Sequence, residues 1–357
     1  MSTADWQQPG GGLPQGGGLP QGGGPPNTMG WPSWVKLVIL LILLIALGWV
    51  LLLISQYCQT GDRISDLPGV PPPIAGLFGD EAEYRGELSG IARPLGVAMS
   101  EDGRIYVTES AGERMVRVFD RNGKQVAAFA RPDSDVLDRV PLYVAVSPAG
   151  EVYVSDRPNR AIYIYSPDGD YIGTFEHKSV PAEEWQPMGL AFDDEGNLYV
   201  TDVTENQHRV LVFDPAGELR LQFGSEGKEE GEFWFPNGIA VDERGRVYVA
   251  DGTNGRVQVF DRAGKLLYVI PRGYARGDLS MPRGLALDGD GHLLVADTSA
   301  HTVKVYDVSG DQPDFIRDIG TSGTGDGQFR FPNGVALADG KIYVTDRENG
   351  RVQIWSY

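Results

Sequence analysis

Pro236-Asn-Gly-Ile-Ala240, Val247-Tyr-Val-Ala-Asp251 and Arg256-Val-Gln-Val-Phe260 together decide the architecture. A proline opens a short apolar run, a polar turn ends in Gly245, and two runs of β-branched and aromatic residues follow. Short runs of this kind separated by Gly turns read as antiparallel strands. The pattern recurs along the chain. A proline followed three and four residues later by an apolar residue and Ala, with Ala98, Ala145, Ala191, Ala286 and Ala336 at the end, also begins at Pro94, Pro141, Pro187, Pro282 and Pro332. Successive prolines, from Pro94 to Pro332, lie 47, 46, 49, 46 and 50 residues apart. Each unit then has a turn glycine (Gly103, Gly150, Gly196, Gly245, Gly291, Gly340) and a strand ending in an acid: Glu109, Asp156, Asp202, Asp251, Asp297 or Asp346. A period of that length with three or four strands per unit is a propeller blade, whereas a helical solenoid would need a 3.6-residue apolar period. The expected fold class is all-β, a six-bladed β-propeller.

The last unit stops at Tyr357 without room for an outer strand. Ile74-Ala-Gly-Leu-Phe-Gly79 matches the outer-strand ends Leu219-Arg-Leu-Gln-Phe-Gly224 and Phe315-Ile-Arg-Asp-Ile-Gly320. The expectation is therefore that residues about 73–79 complete the last blade, closing the ring and removing its open edges. The propeller then spans residues 73–357.

The units resemble NHL repeats: Pro-x-Gly-apolar-Ala, then Tyr-Val-x-Asp, then Asn-x-Arg-Val-Gln-Val-Phe. Asp251-Gly-Thr-Asn-Gly-Arg-Val-Gln-Val-Phe260 and Asp346-Arg-Glu-Asn-Gly-Arg-Val-Gln-Ile-Trp355 carry the resemblance best. Unit two departs most, with Tyr143 in place of Gly and Ala161 in place of Arg. The resemblance implies a six-bladed ring, on which function varies widely.

Upstream, residues 1–33 hold 10 Gly and 6 Pro with a single charge, Asp5, which reads as a disordered tail unable to bury apolar surface. From Leu37 to Ile54 no residue is charged. Eighteen residues at about 1.5 Å each reach roughly the thickness of a hydrocarbon core. Trp31, Trp34 and Tyr57 flank the run at interface positions, so residues 34–57 read as a transmembrane helix. Ser55-Gln56-Tyr57 before Cys58 offers neither a signal-peptidase site nor a lipobox, which favours an uncleaved anchor. Residues 58–72, with Pro68, Pro71 and Pro72 running into Pro73, read as a semi-rigid spacer. Lys36 abuts the run while Arg63 is farther off beside Asp62 and Asp66, placing the N-terminus in the cytoplasm and the propeller outside.

Charge excludes one class of partner. The chain has 49 acidic and 31 basic residues, net −18. So acidic a ring would repel nucleic-acid phosphates, although RNA binding is known among cytoplasmic propellers of the resembled family. The residues between Pro and Gly of each unit should face the channel mouth: Leu95, Leu142, Met188, Asn237, Arg283 and Asn333. A guanidinium flanked by two amides suits an anion. The leading loops add Trp185, Trp234 and Arg330 as partner contacts, because aromatic and Arg side chains dominate binding hot spots. Phe233 and Phe329 read instead as plugs between blades.

The function expected is an extracytoplasmic binding, sensing or protein-interaction module that takes a protein or small molecule on its loop face, with no catalytic residue and no cofactor. The alternative is a metal-dependent propeller enzyme, like the amidating lyases or lactonases. Amidating lyases use three His from different blades, but His177, His208, His292 and His301 do not occupy three equivalent mouth positions. A calcium site could draw on Asn237 and Asn333, yet no acid occupies the ring positions. The strand-end acids recur once per blade, which marks them as scaffold.

Overall fold

The computed structural model describes residues 82–357 apart from 182, 183 and 274. The tail, the run from Leu37 to Ile54, Cys58 and the spacer lie outside the described residues, among which no helix is long and apolar enough to cross a membrane. Six four-stranded antiparallel sheets are arranged as six blades. In blade four the strands are Pro236–Val241, Val247–Asp251, Arg256–Phe260 and Leu266–Ile270, in that order from the channel outward. The two middle strands are almost wholly buried and the outermost alternates, as expected of strands covered on two faces and on one.

No single core holds the ring. Apolar side chains form six slabs, each between neighbouring blades: Val257, Val259 and Ile270 of blade four, for example, pack with Leu285, Leu293 and Val295 of blade five. The slab between blades six and one contains Val352, Tyr343, Val97 and Ile105, so the first and last blades meet like any other pair. Hydroxyls stitch blade to blade at the channel. Thr108 donates to the Leu142 carbonyl at 2.6 Å, Thr201 to Asn237 at 2.7 Å, Thr298 to Pro332 at 2.7 Å and Thr345 to Leu95 at 2.8 Å.

The inner strands approach so closely that the Gly of Pro-x-Gly is a steric requirement. A Cβ on Gly238 would sit 2.2 Å from the Arg283 carbonyl oxygen, and one on Gly189 would sit 2.1 Å from that of Asn237. Gly238→Ala should therefore force two blades apart and cost about 1–3 kcal/mol, read as a lowered denaturant midpoint. An unchanged midpoint would show that the channel wall is more yielding than its packing indicates. Blade two has Tyr143 at this position, and its first strand shrinks to Val144–Val146. The departure seen in the repeat is thus a local change of backbone as well as of side chain.

The sixth blade is completed differently from the sequence expectation. Its outer strand is Tyr84–Ser89, which pairs antiparallel with Arg351–Ser356, Leu88 opposite Val352. Residues 73–79 lie outside the described residues, and the edge assigned to them is already taken. The cause is a short connection. About a dozen residues separate the outer strand of an earlier blade from the next proline, as from Phe223 to Pro236, but only residues 90–93 separate Ser89 from Pro94. Phe78-Gly79 resembles the other outer-strand ends, but the strand that closes the ring lies nearer to Pro94.

Candidate functional site

Each blade's first strand runs from the mouth inward, and its second runs back to end at the mouth. The Pro-x-Gly turns, the strand-end acids and the following loops therefore share one face. In all blades but the second, register slips just after the proline, as between Pro236 and Ile239, and such a bulge re-aims the side chains around it.

The strand-end acids are scaffold. Asp251 is fully buried and accepts the Trp234 backbone N–H at 2.7 Å, the Arg256 guanidinium at 2.7 Å and the Asn254 amide. Asp346 repeats this with the N–H of Arg330, with Arg351 and with Asn349. Asp202, Asp297, Asp156 and Glu109 likewise take backbone N–H groups of the loop ahead of their own blade. Each carboxylate ties a leading loop to its blade and so sets the floor of the face.

Above this floor the candidate ring residues separate. Asn237 is buried and its amide donates to the Phe235 carbonyl at 2.8 Å, capping its own turn. Asn333 is buried and donates to the Leu95 carbonyl of blade one at 3.1 Å, leaving its oxygen toward Arg283. Arg283 is half-buried, and its Nη1 reaches that oxygen only at 3.5 Å. Asp278, a possible local partner, is occupied by the Ala275 N–H. Among the described residues no carboxylate lies within ion-pair distance of Arg283, and its buried Nε has no hydrogen-bond partner. Met188 is half-buried, as are Leu95 and Leu142.

Two residues not singled out in the sequence complete the surroundings of Arg283. The Tyr143 hydroxyl is buried beside Asn333, and burial raises its pKa to about 12 against the opposing pull of Arg283 and of the Asn333 side chain. Arg347 follows the strand-end Asp346. Burial, together with the nearby Arg93 and Arg283, holds its guanidinium below the usual arginine range, while Glu348 opposes this. Its Nε is also buried without a hydrogen bond, although Glu348 lies at 3.6 Å. Tyr143 was visible in the sequence only as a break in the repeat; Arg347 carried no signal, because its chain position resembles an ordinary turn.

Of the loop residues, Trp234 is half-buried with the Lys228 ammonium 4.4 Å above its ring, and Arg330 is exposed. Trp185 is a correction. It is 1% exposed and packs edge-on against Phe213 at 5.7 Å, while Phe233 and Phe329 pack at a tilt against Phe260 and Trp355 at similar distances. It is the plug of blade three, one position closer to its proline than the Phe plugs, and is out of a partner's reach. His177 stacks on it at 4.5 Å, and burial lowers the imidazole pKa.

The exposed aromatics of this face are Phe235 and Phe331, the residues just before Pro236 and Pro332. Both have positive φ, 51° and 55°, a strained conformation for a bulky residue, and both remain 42% and 39% exposed. His208 and His301 hold them: each imidazole lies against the ring, at 4.7 and 4.5 Å, and its Nδ1 accepts the backbone N–H of the same Phe. Among the described residues no three His, Cys, Asp or Glu side chains gather as a group able to hold a metal.

Comparison with known proteins agrees with this architecture. The NHL repeat model matches residues 185–213, 233–260, 279–306 and 329–355, each match opening on a buried plug residue: Trp185, Phe233, Leu279 or Phe329. The chain thus carries NHL repeats on a six-bladed β-propeller. It is 28% identical over 152 residues to Protein brain tumor of Drosophila melanogaster, a match spanning 41% of this chain and 14% of that protein. Among solved structures, a streptogramin B lyase superposes with a TM-score of 0.55 at 15% identity, covering 77% of this chain and 98% of that one. The virginiamycin B lyase of Staphylococcus aureus gives 0.54 at 15% identity, covering 78% and 99%. A chain of a nidogen/laminin complex gives 0.53 at 18% identity, covering 68% and 84%. At these identities the likeness is one of fold.

Proposed function

We propose that this propeller is a binding module that docks a protein partner on its loop face, displayed outside the cytoplasm by the apolar run from Leu37 to Ile54. One observation carries the reading: Phe235 and Phe331 are held exposed by strained backbone on the same face as an arginine without an acidic partner. Arg93, just before Pro94, shares this strained position with φ 53°, so the face presents two Phe and an Arg on rigid backbone, and rigid aromatic and Arg side chains are the residues that anchor partners. NHL propellers commonly serve protein interactions, which supports the same reading. The anchor and the outward orientation rest on hydropathy and the position of Lys36.

Site-specific photocrosslinking in the native membrane tests this. A photoreactive residue at position 331 or 235 should trap a discrete partner. The same residue at 149, in an exposed turn at the other end of the strands, should not. Equal adducts from position 149, or none from 331 and 235, would reject the docking face.

A further inference from the structure

The chemistry of the partner is written in the donors left over at the channel mouth. Arg283 Nε and Arg347 Nε are buried without a hydrogen bond, with Glu348 3.6 Å from the latter, and the buried Tyr143 hydroxyl stands beside Arg283 and Asn333. A buried donor without an acceptor costs about 1–3 kcal/mol, and more when charged, so a cluster of such groups at one mouth carries a standing cost that a bound acceptor would lift. They come from three blades. Arg283 follows Pro282 of blade five, Arg347 follows the strand-end Asp346 of blade six, and Tyr143 stands where blade two lacks its Gly. Burial and the nearby Arg93 and Arg283 disfavour the charged form of Arg347, a penalty that an anion would relieve.

We propose that Arg283 and Arg347 bind a carboxylate presented by a partner polypeptide, with the Tyr143 hydroxyl as a further donor. This rests on the loop face being the docking surface. Two guanidiniums suit the two oxygens of a carboxylate, which accept from planar N–H forks. A dianionic phosphate is the poorer match, because Glu348 already neutralises part of the cluster through Arg93 and Arg347, and the surrounding ring is strongly acidic. Phe331 lies on the same face, so a carboxylate next to an apolar side chain fits best.

The test uses the full chain in detergent, titrated with N-acetylphenylalanine, its uncharged amide and inorganic phosphate by calorimetry. The acid should bind saturably and the amide should not. Arg283→Gln and Arg347→Gln should each weaken binding about ten-fold or more, and Tyr143→Phe by a smaller factor. The unaltered protein gives a second reading that does not depend on a variant folding. Bound acid should protect Arg283 and Arg347 from phenylglyoxal, mapped by mass spectrometry, while the exposed Arg330 stays reactive. Equal binding of acid and amide, tighter binding of phosphate, or no protection of either arginine would overturn the proposal. If photocrosslinks from position 331 persist in that case, the docking face stands and only its carboxylate chemistry falls.

Discussion

A chain shortened to begin at Ile91 is expected to lose its cooperative thermal transition, whereas one reduced to Met followed by residues 82–357 keeps it. Tyr84–Ser89 supplies the fourth strand of blade six and closes the ring on the C-terminal strand. Removing it exposes the edge of Arg351–Ser356 and uncovers Val352, which packs with Leu88. It also deprives Arg351 of Glu87, 2.8 Å from its Nη1, and Trp355 of the Tyr84 ring packed edge-on against it. Leu88 is 3% exposed, and truncating such a residue alone costs about 2–5 kcal/mol. A domain's whole stability is about 5–15 kcal/mol, so loss of the strand together with its ladder should exceed what the ring can spare. Scanning calorimetry decides the matter. A transition at the same temperature in both chains would mean that the closing strand is dispensable.

Asp346→Ala should be the most damaging single substitution at the mouth, costing about 3–5 kcal/mol in chemical denaturation. Its carboxylate is completely buried and receives the Arg330 N–H, the Asn349 amide, the Arg351 guanidinium at 2.9 Å and the Gln353 amide at 3.0 Å. Alanine would leave the buried Arg351 charge without this partner and the leading loop of blade six without its tie. The Asp346→Ala/Arg351→Met double variant should cost less than the sum of its two single changes, since both remove the same Asp346–Arg351 bond. If Asp346→Ala falls within about 0.5 kcal/mol of the parent, as a neutral surface change does, the array is not structural and a role in chemistry reopens.

The blades and their strand ends were legible because one unit, repeated six times, exposes its own rules. Every recurrence of Pro, turn Gly and strand-end acid is an independent reading of the same geometry. What breaks the repeat was harder to read. Trp185 looked like a surface anchor because it sits one residue out of step with Phe233 and Phe329, and chain position alone does not reveal that all three rings enter equivalent slots. The closing strand was sought at 73–79 because Ile74–Gly79 ends like the other outer strands, in an apolar residue before Gly, while the short connection from Ser89 to Pro94 hid the strand that closes the ring. Arg283 was identified from its place between Pro and Gly, but the sequence could not distinguish a guanidinium paired with Asp278 from one left without an acid.

From its sequence alone this protein was already a six-bladed ring of NHL-like units, because strand and turn preferences act locally and a period averages out their noise. An acidic surface and an apolar segment ahead of the ring were likewise matters of composition. Only the tertiary structure decided which strand closes the ring, which aromatic rings are buried, and which polar groups meet at the mouth. Closure and burial depend on contacts between residues up to 273 positions apart, such as that of Glu83 with Ser356. The gathering of Tyr143, Arg283 and Arg347 depends on three blades converging at one axis, a proximity that no local signal encodes.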